Sequence, residues 1–274
     1  MTTTRRAHLV VGGFPPGASA GHDMDFARLH LLQRLDAEEH LAVTVANDFQ
    51  DIERWLPGTD LLITYVAGPF PAGAGNAALQ QWLEAGGRWF ALHGSSGGKA
   101  VKSERDGRQV KQMVKGEHHR TLGCFFLNHP PLREFDVAVT GQHRLTRGLP
   151  DRFTVRDELY LVELQEPQAS QILLTTELAE DPSPPGFGFV YDEDTALQPD
   201  GKTRVLGYSR GVGRGEVAYV ALGHCHTGRT NTQSAVDRSI DAAGKVPSEF
   251  HGVWETEAFA TLLENAIAWG LGED

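Results

Sequence analysis

The sequence predicts an α/β fold in which a doubly wound, mostly parallel sheet is covered by helices on both faces. Short apolar runs typical of buried strands alternate with segments whose apolar residues recur at helical spacing. Glycine, proline and acidic residues separate the two kinds of segment, as is typical of turns and helix starts. At 274 residues, the chain is long enough for one large core, and we expect a single domain spanning residues 1–274.

The first half of the chain shows the most regular alternation. Four apolar runs predict strands, at residues 7–12, 41–45, 60–66 and 88–93. Helices are predicted between them, at residues 24–35, 52–56 and 74–85. Asp23 or Asp25 suits the start of the first helix, and Gly86-Gly87 suits the end of the third. Because each strand is followed by a helix, neighbouring strands are expected to run parallel.

The second half is less regular. Strands are predicted at residues 135–139, 172–176, 205–208 and 216–222, and a closing helix at residues 257–270. The charged segment 99–120 predicts either a helix or a mobile loop. The segment 181–200, rich in proline, glycine and acids, predicts a loop.

Composition narrows the partners and the compartment. Lys and Arg total 25 against 36 Asp and Glu, which gives a net charge of −11. This charge disfavours nucleic acid and anionic membrane surfaces as partners. No apolar run approaches the roughly 18 residues of a membrane span. The only two cysteines, Cys124 and Cys225, lie far apart, which is typical of a cytoplasmic protein rather than a disulfide scaffold.

Candidate site residues follow the ends of three predicted strands. In parallel sheets, ligands bind outside the carboxyl ends of the strands. His22 follows the first strand, His93 ends the fourth, and His224 comes directly after the strand at residues 216–222. His224 and His226 would share one side of an extended segment, a spacing that suits metal ligation. Cys225 would point to the opposite side as a small buried residue.

The turn after the fourth strand resembles a nucleophile elbow without the nucleophile. Glycines and serines follow His93, and small residues of this kind permit a sharp strand-to-helix turn. His93 takes the place of the expected nucleophile at the end of the strand, so a hydrolase using Ser95 or Ser96 is the weaker alternative.

Two further segments combine histidine, acid and aromatic residues. Pro130 restricts the backbone of His129 to an extended conformation. Asp157 and Glu158 precede Tyr160 in an otherwise apolar stretch, and an acid near a histidine can fix the tautomer of the imidazole and raise its basicity. By contrast, the pair His118-His119 lies in the charged segment and is predicted to be solvated.

Taken in order, these segments resemble the ThuA-like family, named for trehalose utilisation. The resemblance is carried by Gly21-His22-Asp23, the strand ending at His93, Leu122 to Pro130, His143 to Pro150, Asp157 to Tyr160, Gly213 to His224 and Ala268 to Gly270. It implies a flavodoxin-like fold of the class I glutamine amidotransferase type. The segments near 95–120 and 225–254 depart from the family pattern and are interpreted as insertions. One interpretation of the insertions is a lid over the site.

The resemblance also has a chemical implication. Class I amidotransferases place a cysteine at the elbow and a histidine after a later strand. Here His93 stands at the cysteine position and His224 at the histidine position. An imidazole cannot replace a thiolate that must form an acyl intermediate, so glutamine amidotransferase activity is not expected.

The resemblance implies a role in the metabolism of trehalose, a related glycoside or a keto-sugar, with a small-molecule carbohydrate as partner. If the chain is an enzyme, a hydrolase or an isomerase is expected. The candidate catalytic residues are His93, His224, Glu158 and His129. The candidate substrate-binding residues are His22, Asp23, Asp157 and Tyr160. A divalent metal such as zinc, held by His93, His129 and His224, and metal-free acid–base catalysis are equally compatible with this residue set. A non-catalytic sugar-binding or regulatory protein is the main alternative, and a homo-oligomer is one of the open oligomeric states.

Overall fold

The computed structural model describes residues 4–233 and 236–272. Its strands are β1 (Arg5–Gly13), β2 (Leu41–Ala46), β3 (Leu61–Ala67), β4 (Arg88–Leu92), β5 (Lys99–Arg105), β6 (Arg108–Val114), β7 (Cys124–Asn128), β8 (Arg133–Val139), β9 (Arg152–Asp157), β10 (Leu161–Leu164), β11 (Ser170–Glu177), β12 (Thr203–Val212), β13 (Gly215–Val220), β14 (His226–Thr227) and β15 (Glu249–Phe250). Its α-helices are α1 (Met24–Asp36), α2 (Ile52–Trp55), α3 (Gly73–Glu84), α4 (His118–Leu122) and α5 (Glu257–Leu271).

The central feature is a nine-stranded mixed sheet in the order β2-β1-β3-β4-β13-β12-β11-β8-β9. The pairs among β2, β1, β3, β4 and β13 are parallel, and the remaining pairs, from β13 to β9, are antiparallel. The α/β class is therefore confirmed. The prediction of a mostly parallel sheet is wrong for the second half of the chain. Turns such as Gly213-Arg214 join neighbouring strands there without a crossover helix, so these strands run antiparallel.

The parallel half forms where the sequence pattern predicts it. The run from Leu61 to Val66 in β3 is buried throughout, as the near-continuous apolar sequence predicts. Asp23 caps the start of α1, because its carboxylate accepts a hydrogen bond from the backbone N–H of Phe26 at 3.1 Å. These elements carry the ends of β1, β3 and β4 to one edge of the sheet.

Most of the charged segment 99–120 is a β-hairpin, so the prediction of a helix or a mobile loop is wrong for residues 99–114; a short helix, α4, follows. Strands β5 and β6 are joined by Asp106 and Gly107, which have φ values of 52° and 73°. This pair suits a tight turn that needs left-handed residues. Strands β7, β9 and β10 were also not predicted.

The pair His118-His119 is buried, so the prediction of a solvated pair is wrong. His118 Nε2 lies 3.1 Å from the carbonyl oxygen of Gly97, and His119 Nε2 lies 2.9 Å from the same oxygen. The two imidazoles therefore support the turn that follows β4.

The acidic segment 181–200 contains neither helix nor strand, and the loop prediction is confirmed. Across the part of the chain that the structure describes, no helix is both long and apolar enough to cross a membrane.

Candidate functional site

The turn after β4 places one imidazole in a strained backbone position. His93 has a φ of 43°, in the left-handed region that residues with a side chain rarely adopt. The turn packs so tightly that a Cβ atom on Gly94 would lie 2.7 Å from the carbonyl oxygen of Val66. The sharp turn predicted from the glycines and serines is therefore present, and it presents a fully buried His93.

A buried carboxylate fixes the two loops that carry Glu158 and His224. Asp157 Oδ2 accepts a hydrogen bond from the backbone N–H of Gly223 at 2.7 Å. Its Oδ1 accepts from the N–H groups of His224 at 3.0 Å and Glu158 at 2.8 Å. Asp157 was predicted to bind substrate, but its oxygens are engaged by these three amides. We assign it a positioning role instead.

Four of the predicted site residues come together at the carboxyl edge of the sheet. One potential ligand atom from each of His22, His93, Glu158 and His224 lies within 4.8 Å of the others. Glu158 Oε2 lies 3.1 Å from His224 Nδ1 and 3.6 Å from His93 Nε2. His129 borders the group, with its Nε2 3.7 Å from the same oxygen. All five side chains are buried.

Three of these imidazoles are oriented by backbone carbonyl groups. The Nδ1 atoms of His22, His93 and His129 lie 2.8–3.0 Å from the carbonyl oxygens of Ala20, Ala221 and Pro130, respectively. Because a carbonyl can only accept, each Nδ1 carries the proton and each Nε2 carries a lone pair. This outer arrangement is the one that commonly orients metal-ligating histidines.

The nitrogen atoms that face the centre lack hydrogen-bond partners. His22 Nε2, His93 Nε2 and His224 Nδ1 are all buried, and none has a hydrogen-bond partner within residues 4–233 and 236–272. A buried polar atom without a partner costs about 1–3 kcal/mol. Three such atoms around one carboxylate are more than a structural role for the histidines would explain.

Burial and neighbouring charges set the protonation of the cluster. Burial, reinforced by His93, lowers the pKa of His22 to about 3. Burial also holds the pKa of His224 well below its usual value, although Glu158 opposes this shift. For Glu158, burial raises the pKa, but the combined effect of His129, His224 and His93 is larger, and the pKa lies well below its usual value. Near neutral pH the imidazoles of His22 and His224 are therefore neutral, and the carboxylate of Glu158 is ionised.

Two further predicted residues have different surroundings. Tyr160 is buried and packs between the imidazoles of His93 and His129, with ring centroids 4.0 and 5.7 Å away. It therefore forms part of the wall of the site. Asp23 was predicted to bind substrate, but its carboxylate caps α1 and does not belong to the four-residue group.

The serines of the elbow are turned away from the cluster. Ser95 Oγ bonds to Thr64, and Ser96 Oγ lies 2.7 Å from the hydroxyl of Tyr219 and 3.2 Å from the carbonyl oxygen of His93. Neither hydroxyl is placed beside an imidazole nitrogen that could activate it, so this geometry does not support a serine hydrolase.

The cysteines are not suited to nucleophilic catalysis. Burial raises the pKa of the Cys124 thiol to about 12 and raises that of Cys225 further. Both thiols are therefore protonated at neutral pH. The prediction that Cys225 is a small buried residue is confirmed.

Two polar residues complete the site. Ser239 donates a short hydrogen bond from its hydroxyl to Glu158 Oε1, and its Oγ lies 3.0 Å from His224 Nε2. His226 Nδ1 lies 2.8 Å from the same His224 nitrogen. The spacing of His224 and His226 signalled the second contact. No local pattern signals Ser239, because it reaches the site from the insertion near 225–254.

Together, the mixed nine-stranded sheet and the buried cluster of three histidines and one glutamate define an α/β protein with a candidate site at the carboxyl edge of its parallel strands. The sequence pattern of the ThuA family, described as trehalose utilisation, matches residues 16–241. The chain belongs to the ThuA family. No curated protein sequence matches it significantly.

Solved structures of ThuA-like proteins share the fold. One from Bacteroides uniformis is 15% identical, with a TM-score of 0.62 over 99% of this chain and 93% of that chain. One from Parabacteroides merdae is 16% identical, with a TM-score of 0.57 over 99% and 91%. The cold-adapted β-galactosidase of Rahnella sp. R3 is 14% identical, with a TM-score of 0.56, and the match covers 99% of this chain and 32% of that chain.

Proposed function

We propose that the protein is a metal-dependent enzyme of carbohydrate metabolism whose centre is formed by His22, His93, Glu158 and His224. One observation carries the proposal: three buried imidazole nitrogens without hydrogen-bond partners converge on one carboxylate. A divalent cation would pair with all three lone pairs and with the carboxylate. Compared with the sequence prediction, His22 and Glu158 join His93 and His224 as ligands, and His129 becomes a neighbour of the ion.

The donor set fits a transition metal better than magnesium or calcium. Imidazole nitrogen suits zinc, iron, copper and nickel, whereas magnesium and calcium prefer oxygen. Ligand atoms about 2.1 Å from a tetrahedral zinc ion are about 3.4 Å apart. The four atoms here lie within 4.8 Å of one another, so side-chain movements of about 1 Å would close the site around an ion. Five- or six-fold coordination would leave positions open for substrate.

His129 is the proposed proton carrier. Its Nε2 lone pair faces Glu158 Oε2 at 3.7 Å, and its Nδ1 is held by the carbonyl oxygen of Pro130. An imidazole nitrogen with a lone pair in this position can accept a proton from a sugar hydroxyl or from a carbon beside a carbonyl group. A bound ion would supply Lewis-acid polarisation of the substrate oxygen. This combination suits hydrolysis or isomerisation of a glycoside or keto-sugar.

The family and the fold agree with a carbohydrate substrate. The ThuA family is described by trehalose utilisation, and a domain of this fold occurs within a β-galactosidase.

Elemental analysis of the untagged protein tests the metal. We expect about one equivalent of zinc or a similar ion, and we expect it to be lost in the double variant His93→Ala, His224→Ala. His40→Asn is a matched control, because His40 is an exposed histidine with a φ of 65° that asparagine tolerates. Wild-type protein that contains no metal and takes up no added zinc would overturn the metal site and favour acid–base catalysis alone.

A thermal-shift screen against trehalose, other disaccharides and keto-sugars tests the substrate class. Product analysis of each stabilising sugar then separates an enzyme from a binding protein. Stabilisation without turnover, with metal present, would support the non-catalytic alternative.

A further inference from the structure

The segment 236–250, which we call the strap, forms polar contacts with the candidate metal centre directly through Ser239 and indirectly, through His226, from Pro247. We propose that Ser239 and the carbonyl group of Pro247 are positioning groups that fix the tautomer of His224, so that strap closure and metal binding are coupled. This inference rests on the proposed metal site and adds its regulation by a segment of the chain.

The first contact is the hydroxyl of Ser239. A carboxylate cannot donate, so the short hydrogen bond to Glu158 Oε1 uses the single proton of the hydroxyl. The oxygen of Ser239 then remains as an acceptor, 3.0 Å from His224 Nε2. This arrangement requires a proton on His224 Nε2. Ser239 is itself only 6% exposed, so water does not readily replace it.

The second contact passes through His226. Its Nε2 lies 3.3 Å from the carbonyl oxygen of Pro247, which can only accept, so Nε2 carries the proton. The lone pair of His226 is then on Nδ1, 2.8 Å from His224 Nε2. This contact also requires a proton on His224 Nε2. Both contacts therefore leave the lone pair of His224 on Nδ1, the atom that faces the centre.

Polar contacts hold the middle of the strap, whereas Val236 packs against the core at one end and Phe250 is buried at the other. Asp237 pairs with Lys111 at the β5–β6 hairpin and accepts from the backbone N–H of Gly188 at 2.8 Å. The backbone carbonyl of Ile240 accepts from the N–H of Leu132 at 2.8 Å. Because the ligand atoms are buried, a covering segment must move to admit an ion or a substrate, and polar contacts of this kind exchange with water at low net cost.

Coupling follows from these contacts. When the strap is closed, Glu158 and His224 are held in the geometry and tautomer that bind a cation. By thermodynamic reciprocity, a bound cation stabilises the closed strap to the same extent. Metal occupancy should then protect the strap, whose Arg238 and Lys245 are exposed sites for trypsin.

The test uses the metal-free full-length protein with cobalt(II) and zinc(II) as probes. We expect Ser239→Ala to weaken cobalt binding by 10- to 100-fold, a typical effect for an outer hydrogen-bond partner, and to change the visible spectrum of bound cobalt. Ser239→Thr, which keeps the hydroxyl, should retain most of the affinity. Ser248→Ala, an exposed serine of the same strap, should match wild type. Zinc should slow tryptic cleavage at Arg238 and Lys245 in wild type and much less in Ser239→Ala.

The outcomes separate the two proposals. If wild type binds no cobalt, the metal site fails and the coupling fails with it. If wild type binds cobalt but Ser239→Ala has equal affinity, an unchanged spectrum and equal protection, only the coupling is overturned. If Ser239→Ala does not fold, tryptic cleavage of the wild-type protein tests the coupling on its own. Cleavage of the wild-type strap at the same rate with and without zinc would overturn it.

Discussion

The buried carboxylate of Asp157 offers the sharpest test of how the site is held together. In Asp157→Asn, one oxygen can still accept from the amides of Glu158 and His224. The new NH₂ group must then face the N–H of Gly223, which currently donates to Oδ2 at 2.7 Å. A good acceptor is thus replaced by a donor at a fully buried position.

The cost can be worked out from these contacts. One hydrogen bond to a carboxylate is lost, and one buried amide remains without an acceptor. The first contributes about 1.5–3 kcal/mol and the second about 1–3 kcal/mol, but the two overlap because they describe the same amide. We therefore expect Asp157→Asn to lower the free energy of unfolding by about 2–4 kcal/mol. Asp157→Ala removes the acceptor for all three amides and should prevent folding.

Urea denaturation, followed by tryptophan fluorescence, measures this change. Asp200→Asn is the matched control, because Asp200 also accepts from two backbone amides, those of Lys202 and Thr203, but is exposed. It should change stability far less. An Asp157→Asn variant as stable as wild type, with an unchanged urea dependence, would refute the view that Asp157 fixes the two loops of the site.

Three further predictions concern other parts of the fold. Burial lowers the pKa of His8 to about 4 from an ordinary 6.5, so on acidification His8 takes up its proton in the unfolded chain before it does so in the folded protein. His8 therefore destabilises the fold by up to about 3 kcal/mol as pH falls from 6.5 to 4. Urea titrations of His8→Gln over this pH range should show a smaller loss of stability. Gly12→Ala should lower the free energy of unfolding by about 3 kcal/mol or more, measured by thermal denaturation, because its Cβ would lie 1.7 Å from a backbone oxygen. Gly17 has open space around it, so Gly17→Ala should lower this free energy by only about 1 kcal/mol, on account of its φ of 82°. A thiol reagent should react with Cys124 and Cys225 at least about a hundredfold more slowly in native protein than in urea.

Each of these predictions has a clear contrary result. Equal acid sensitivity of wild type and His8→Gln would show that the buried imidazole does not contribute. A Gly12→Ala variant as stable as Gly17→Ala would contradict the close packing of β1. Rapid labelling of native protein would mean that a thiol is accessible.

The sequence predicted the parallel half of the fold because its signals are local. The conformations of β3 and of the turn after His93 can each be predicted from a few consecutive residues, the apolar run in β3 and the glycines that follow His93. The β5–β6 hairpin also had a local signal, Asp106-Gly107, but the charged residues around it hid the pattern. The burial of His118 and His119 could not be predicted, because their partners lie about 20 residues away in the elbow turn.

The candidate site was predictable in its residue types but not in its completion. The strand ends indicated His22, His93 and His224, and the family resemblance supported Glu158. By contrast, Ser239 reaches Glu158 across 81 positions of sequence, and only the folded chain reveals that contact. The three amides that Asp157 accepts from could not be predicted either, because two of them belong to a loop more than 60 residues away in sequence.

The mixed sheet has a consequence for how the chain folds. His93 follows β4 and Glu158 follows β9, and four strands separate β4 from β9 in the sheet order. A flat sheet would place these strand ends about 24 Å apart at 4.8 Å per strand, yet Glu158 Oε2 lies 3.6 Å from His93 Nε2. The antiparallel half must therefore curl back over the parallel half before the four side chains can meet. Contacts between distant parts of the chain slow folding. If the proposed metal site binds cobalt, the colour that develops during refolding would report the moment at which the two halves join.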